Sequence, residues 1–247
     1  MRIPDRRHTE LNEIRWWSHW AKLSWKGEGY VLSSDLIREG FFNRGGSLNC
    51  GSLLGTASWA EGKFARRGVV ATMSAFESCE AVRALLRAGY RQVDEMAVLV
   101  SKGGVPDASS GSVAVSRNPR SWTWAYLRSF YGDTALSDAV GPLVMSLSKS
   151  RQVTLLESRV NGDTAGVAAL FKTPGVAGVY CVGTVPEHRR EGVATGLIAR
   201  AREMSESEGR TMVLQTLKSD GVSGFYFKRG FEKIYSKLLL EKSSNDC

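Results

Sequence analysis

The sequence predicts an α+β protein built from two consecutive domains, and three observations carry that prediction. From residue 121 onward the apolar pattern switches between helical and strand periods in the order α-α-β-β-β-α-β-α-β. Residues 102–120, KGGVPDASSGSVAVSRNPR, are rich in Gly, Ser and Pro, show little periodicity and divide the chain nearly in half. Residues 85–100, LLRAGYRQVDEMAVLV, also line up with residues 226–242, YFKRGFEKIYSKLLLEK, placing Gly89 on Gly230 and Tyr90 on Phe231. Each copy reads as a helix end, a glycine stop, an aromatic residue and a strand. We take this recurrence as an internal duplication, with chance repetition of a common α/β pattern as the competing explanation. The expected division is an N-terminal domain over 1–102, a linker over 103–120 and a C-terminal domain over 121–247.

In the second half each element has its own signal. Residues 122–131 and 134–148 read as helices and VTLLESRV, 153–160, as a strand. Asn161-Gly162-Asp163 is a hairpin turn, because Asn and Gly accept the positive φ that a two-residue turn requires. AGVAALF and GVYCVGTV follow as two strands, then a helix over 192–208, the strand TMVLQTL, a helix near 222–229 and a last strand, FEKIYSKLLLEK. Signals before the linker are weaker.

Composition narrows the function classes. Of 247 residues, 43% are hydrophobic and 23% charged, which suffices for a packed core. Apolar runs such as 167–171 and 213–217 fall far short of the roughly 20 residues of a membrane span. The opening MRIPDRRHTELNEIRWW has no stretch resembling a signal peptide, so a cytoplasmic protein without a membrane partner is expected. Cys50, Cys79, Cys181 and Cys247 form no CxxC pair, and His8, His19 and His188 are scattered, so neither a disulfide framework nor a metal site is indicated. A net charge of +8 suits an anionic partner, either a polyphosphate ligand or nucleic acid. Monomer and homodimer both stay open.

The segment Arg189-Arg190-Glu191-Gly192-Val193-Ala194 follows the strand that ends at Val185-Pro186 and opens the helix GVATGLIARAREM. Small residues at Gly192 and Ala194 admit a ligand to the backbone. The unpaired N–H groups of the first helical turn and the helix dipole favour an anion such as pyrophosphate. Arg189 and Arg190 add positive charge, and Thr195 offers a hydroxyl one turn in. Taken alone, the hexapeptide is equally a basic solvated turn.

This region resembles the GNAT superfamily of acyl-coenzyme A N-acyltransferases, whose pyrophosphate motif runs Gln/Arg-x-x-Gly-x-Gly/Ala. Arg189, Gly192 and Ala194 fit it, and FYFKRGFEKI is similar to the family's later Tyr-x-x-x-Gly-Phe segment, over roughly 121–242 in the same order. The resemblance implies a GNAT fold with a mixed, mostly antiparallel central sheet flanked by helices, in two tandem copies. It also implies an N-acetyltransferase that moves the acetyl group of acetyl-CoA to a primary amine on a small molecule or peptide, by direct attack in a ternary complex. By the same resemblance Val182, Gly183 and Thr184 would pair with the pantetheine arm where the strands at 179–185 and 212–217 splay apart. Arg189, Arg190, Glu191, Gly192, Val193, Ala194 and Thr195 would hold the pyrophosphate. Tyr226 would protonate the leaving thiolate; a phenol of pKa about 10 suits a thiol of pKa about 8.5. A core tyrosine is the competing reading of Tyr226. A glycine inside a strand, as at Gly183, marks a bulge or a close approach of backbone, or else a small residue beneath a packed helix.

The sequence departs from the family in several places. No Glu, Asp or His lies on GVAGVYCVGTV, so the base is unassigned among Glu157, Glu187 and an ordered water. Surface salt bridges are the expected role of both glutamates. Cys181 has no histidine nearby in sequence to activate it and is expected to be a buried structural thiol. Ser219 and Asp220 are expected N-caps for the Tyr226 helix. His188 is given no chemistry. The first half lacks the pyrophosphate pattern, so it is expected to bind no cofactor; its Trp16, Trp17, Trp20, Trp25 and residues 41–44 would wall an acceptor pocket or seal an interface, with Trp16 and Trp20 packing from one helical face. A non-catalytic coenzyme A binding module and an acyltransferase for nucleic-acid-linked substrates are the alternatives.

Overall fold

The computed structural model describes residues 3–103 and 112–243. Residues 104–111 of the expected linker and Cys247 lie outside the described residues. Along the chain the elements are α1 (Arg6–Trp17), β1 (Lys22–Lys26), β2 (Gly29–Ser33), β3 (Arg44–Ser47), α2 (Leu53–Ala65), β4 (Thr72–Phe76), α3 (Ala81–Arg87), β5 (Tyr90–Ser101), β6 (Ser112–Val115), α4 (Pro119–Phe130), α5 (Ser137–Leu147), β7 (Val153–Val160), β8 (Asp163–Thr173), β9 (Val176–Thr184), α6 (Val193–Ser207), β10 (Thr211–Leu217), α7 (Ser223–Phe227) and β11 (Phe231–Lys242). The strands run in the order β10-β9-β8-β7-β6 in one compact unit and β1-β2-β3-β4-β11-β5 in the other, each a mixed sheet. The α+β class and the mixed, mostly antiparallel sheet expected from the sequence are what the structure has.

Both halves run through the same series: an antiparallel meander of three strands, a helix, a strand parallel to the last of the meander, a short helix and a strand of 12 residues. The glycines aligned in the sequence, Gly89 and Gly230, stop the short helices at φ 86° and 74° and launch those long strands. The halves do not stay separate, however. The compact units are Met1–Asn12, Val100–Leu214 and Phe225–Glu232 on one side, and Glu13–Leu99, Gln215–Gly224 and Lys233–Cys247 on the other.

In the first unit α4 and α6 cover opposite faces of β7–β9. Neighbouring residues of a strand point to opposite faces. A Cβ on Gly183 would meet α4 at Ser129, while a Cβ on Gly166, paired with Thr184, would meet α6 at Val193 and Leu197. α6 buries Val193, Leu197, Ile198 and Ala201, one helical stripe, and Gly209 ends its last turn at φ 64°. α4 begins three residues earlier than the sequence suggests, because the Asn118 side chain accepts from the N–H groups of Arg120 (3.1 Å) and Ser121 (3.3 Å) and Pro119 fits the first helical position. Its Trp122 is fully buried and donates to the carbonyls of Leu156 (3.1 Å) and Ala168 (3.2 Å). β6 lies within the expected linker as an edge strand paired to β7.

The second unit packs α2 and α3 against β2, β3 and β4 through Val31, Leu53, Ala60, Phe64, Met73 and Leu85. Here β11 pairs antiparallel with β4, from Lys237↔Phe76 to Glu241↔Thr72. Glu13, in the second half of α1, is wholly buried and meets Arg44 (2.7 Å) and Lys237. Burial alone would raise the Glu13 carboxyl; the two cations overcome it and hold the group below its ordinary value. Trp16 and Trp20 are both buried, 6.1 Å apart, but α1 ends at Trp17 and Trp20 belongs to the turn that follows, its N–H donating to the Trp17 carbonyl (3.0 Å).

Candidate functional site

The turn between β9 and α6 has an unusual backbone. After a single turn of 3-10 helix over Pro186–His188, Arg190 takes φ 69° and Gly192 φ 78°. Glycine adopts that region freely, whereas an arginine pays roughly 1–2 kcal/mol there, so the strain at Arg190 marks a conformation imposed by its surroundings. Gly192 caps α6 without a side chain, and Gly196, donating to the Gly192 carbonyl at 3.0 Å, is the first helical N–H to find an acceptor. The N–H groups of Val193, Ala194 and Thr195 precede it and point out of the helix end. Arg189, Arg190 and Glu191 are exposed, Gly192 and Ala194 half-buried, Val193 and Thr195 buried. Arg189 reaches the Ser129 carbonyl (3.4 Å), Arg128 pairs with Glu187, and His188 meets Glu191 (2.9 Å), so the loop is braced against α4 on one side and within itself on the other.

Just before this turn β9 changes its pairing. Ala169 faces Tyr180 and Val167 faces Gly183, so Cys181 and Val182 together oppose Ala168, with Cys181 at φ 54°. That is a β-bulge, which bends and twists its strand. The parallel ladder between β9 and β10 runs from Val176↔Thr211 to Val179↔Leu214 and stops at the bulge. From Tyr180 to Thr184, among the described residues, β9 is laddered with β8, which leaves the other edge of Val182–Thr184 turned away from it. Gly183 has a second constraint: a Cβ there would lie 2.7 Å from Ser129 Cβ and 2.9 Å from Phe130 Cε2. Bulge and close helix packing thus both act at this glycine.

Tyr226 is buried in the five-residue α7, its ring against Phe225 (5.1 Å) and Phe231 (5.8 Å). Its neighbour Arg229, which no motif singles out, donates through Nε to Thr195 Oγ1 (2.9 Å) and through Nη1 to the Phe225 carbonyl (3.0 Å), and lies 3.7 Å over the Phe225 ring. Arg202, two turns beyond Thr195 on α6, donates to the Arg229 carbonyl and to Ser101 Oγ (3.0 Å). A basic residue three positions after the tyrosine was the one available sequence signal.

Of the base candidates, the two glutamates are committed elsewhere. Glu157 is buried and accepts from Ser116 (2.8 Å), Ser121 (3.4 Å) and Arg159 (2.9 Å). Glu187 is exposed, and a backbone hydrogen bond and then Arg128 hold it below the ordinary carboxylate value. Burial pushes the Cys181 thiol up, away from thiolate chemistry. Ser219 and Asp220 do not cap α7. Ser219 bonds Asp94 (2.5 Å) and Asp220 accepts from the Leu217 N–H (3.3 Å), because α7 begins only at Ser223. In the second unit Trp17 packs on Phe41 (4.6 Å) and Phe42 (5.5 Å), with the Arg44 guanidinium 4.2 Å over Phe41, a packed cluster of the residues that could have walled a pocket. Among the described residues no group of three or more His, Cys, Asp or Glu could hold a metal, and no helix is long and apolar enough to cross a membrane.

Residues 117–231 match the model of the acetyltransferase (GNAT) family. A GCN5-related N-acetyltransferase from Kribbella flavida is 16% identical and superposes over 99% of this chain and 98% of that one, with a TM-score of 0.73. One from Sphaerobacter thermophilus is 16% identical over 90% of this chain and 82% of that one, at 0.69. A tandem GNAT protein from the clavulanic acid biosynthesis pathway is 15% identical with the same coverages, at 0.59. These likenesses establish the fold. A search among curated proteins gives no match.

Proposed function

We propose that this chain, whose residues 117–231 match the acetyltransferase (GNAT) family, binds acetyl-CoA at the β9–α6 turn and passes the acetyl group to a primary amine. The observation that carries the reading is the pairing of two features within one turn of chain: an uncapped helix end entered through a left-handed glycine, and a strand edge freed at a bulge. The N–H groups of Val193, Ala194 and Thr195 suit the pyrophosphate, with Arg189 and Arg190 supplying charge. The pantetheine arm adds to the edge of Val182, Gly183 and Thr184 as an extra strand. That leaves the thioester where backbone amides at the bulge can polarise its carbonyl.

The amine attacks in a ternary complex, the tetrahedral intermediate collapses, and Tyr226 gives its proton to the departing thiolate. Deprotonation of the amine, of pKa about 10, falls to solvent through an ordered water, since Glu157 and Glu187 are each engaged by an arginine. The measurement is acetyl-CoA titration beside thiol release over a panel of amines. Leucine at position 192 cannot take φ 78° without strain, so Gly192→Leu is expected to weaken acetyl-CoA binding more than about tenfold. Tyr226→Phe is expected to lower kcat about 10–100-fold with KM for acetyl-CoA nearly unchanged. Undiminished affinity in Gly192→Leu would remove the site, and absence of thiol release with every amine would leave a binding module.

A further inference from the structure

We infer that Arg229 is a positioning residue that locks Tyr226 to the first turn of α6, so that the proton donor is placed by the same helix end that receives the cofactor. The inference rests on the function proposed above and adds a residue to it.

A five-residue helix has almost no stability of its own, because nucleation fixes several dihedrals for a single hydrogen bond. Something outside α7 must therefore hold Tyr226. Arg229 grips the segment on both sides of that tyrosine. Its side chain reaches back to the Phe225 carbonyl (3.0 Å) and lies 3.7 Å over the Phe225 ring, while its backbone N–H donates to the Tyr226 carbonyl (2.9 Å). Both grips are then fastened to α6. Arg229 Nε donates to Thr195 Oγ1 (2.9 Å), and the Arg229 carbonyl accepts from Arg202. Thr195 and Arg202 are seven residues apart, two helical turns, and so share one face of α6.

Arginine suits this place because its planar guanidinium presents donors in fixed directions: one edge meets the Thr195 hydroxyl, another the carbonyl of Phe225, and the face stacks on the ring. A lysine would make one of those contacts at a time. Thr195 is buried and its hydroxyl accepts from Arg229, so its connection to the helix end runs through its own N–H, which lies in the uncapped turn.

The test is steady-state kinetics on the full chain with Arg229→Met, Thr195→Val, Thr195→Ser, Tyr226→Phe and the double variant Arg229→Met/Tyr226→Phe. Arg229→Met should lower kcat about tenfold while KM for acetyl-CoA moves less than about threefold. Thr195→Val, a far smaller change to the fold, should reproduce that loss, and Thr195→Ser, which keeps the hydroxyl, should restore most of the kcat that Thr195→Val loses. Because Arg229 acts through Tyr226, the double variant should be no slower than Tyr226→Phe, to within about twofold. Effects that multiply, or a loss that appears in coenzyme A affinity instead of kcat, would overturn the inference while leaving the transferase standing. Unchanged turnover in Tyr226→Phe would instead remove the proton donor, and the inference with it.

Discussion

Cys181 sits at the bulge, beside the strand edge where the thioester is proposed to lie, so a covalent acetyl-cysteine route has to be weighed at that residue. Its environment argues against the route. A thiol attacks as thiolate, and burial pushes this one up. Cys79 is raised to about 11, first by burial and then by its contact with the Cys50 thiol. Cys50 is exposed. At pH 8 an alkylating reagent should therefore modify Cys50 first, with the buried Cys79 and the half-buried Cys181 reacting more slowly. Digestion and mass spectrometry read this directly, and rapid labelling of Cys181 in the native chain would reopen the covalent route. Of the residues proposed for this site, Tyr226, Arg189 and Gly192 are singled out by the sequence because each sits at fixed spacing in a short pattern. Arg229 is not, since its partners Thr195 and Phe225 are brought to it only by the fold.

Among the elements, β9 makes the most exacting demand on its sequence. Gly183 lies beneath α4, where an added methyl would stand 2.7 Å from Ser129 Cβ, closer than side-chain carbons approach. Gly183→Ala must push α4 off the strand or bend the bulge further, and overpacking of this kind costs about 1–3 kcal/mol. A denaturant midpoint lowered at unchanged slope is the expected result; a variant as stable as the parent would mean that α4 gives way freely. The hairpin from β7 to β8 was readable because Asn161 and Gly162 take φ 52° and 94°, the turn their types favour. β6 was not readable, for its four residues are exposed or half-buried and carry no alternation. β3 shows the opposite failure. Arg44-Gly45-Gly46-Ser47 has the composition of a turn but is a buried strand, because the Tyr30 ring and Met73 occupy the space that side chains at the two glycines would need.

For the whole chain, the aligned glycines forecast two copies of one topology, and the structure has them, but nothing local in the sequence says which strands those long last segments join. β11 comes from the second half and pairs with β4 of the first, bringing Leu239 and Leu240 into buried positions and Lys237 to the buried Glu13. A chain cut in the linker therefore gives pieces that are not independent. Fragment 1–120 would lose the β11 strand that covers β4, and with it the association energy of burying Leu239 and Leu240, about 1.5–3 kcal/mol each. It would also leave the β4 edge unpaired and take from Glu13 one of the two cations that keep its carboxylate tolerable in the interior. Against a total stability of about 5–15 kcal/mol such losses decide the outcome. Fragment 1–120 alone should show no cooperative thermal transition by circular dichroism. Mixed with fragment 121–247 it should regain one, and hydrogen exchange at Met73 and Ala75 should slow in the mixture. A cooperative transition in the isolated fragment would mean that the first half closes its own sheet, with β5 able to take the place of β11 beside β4.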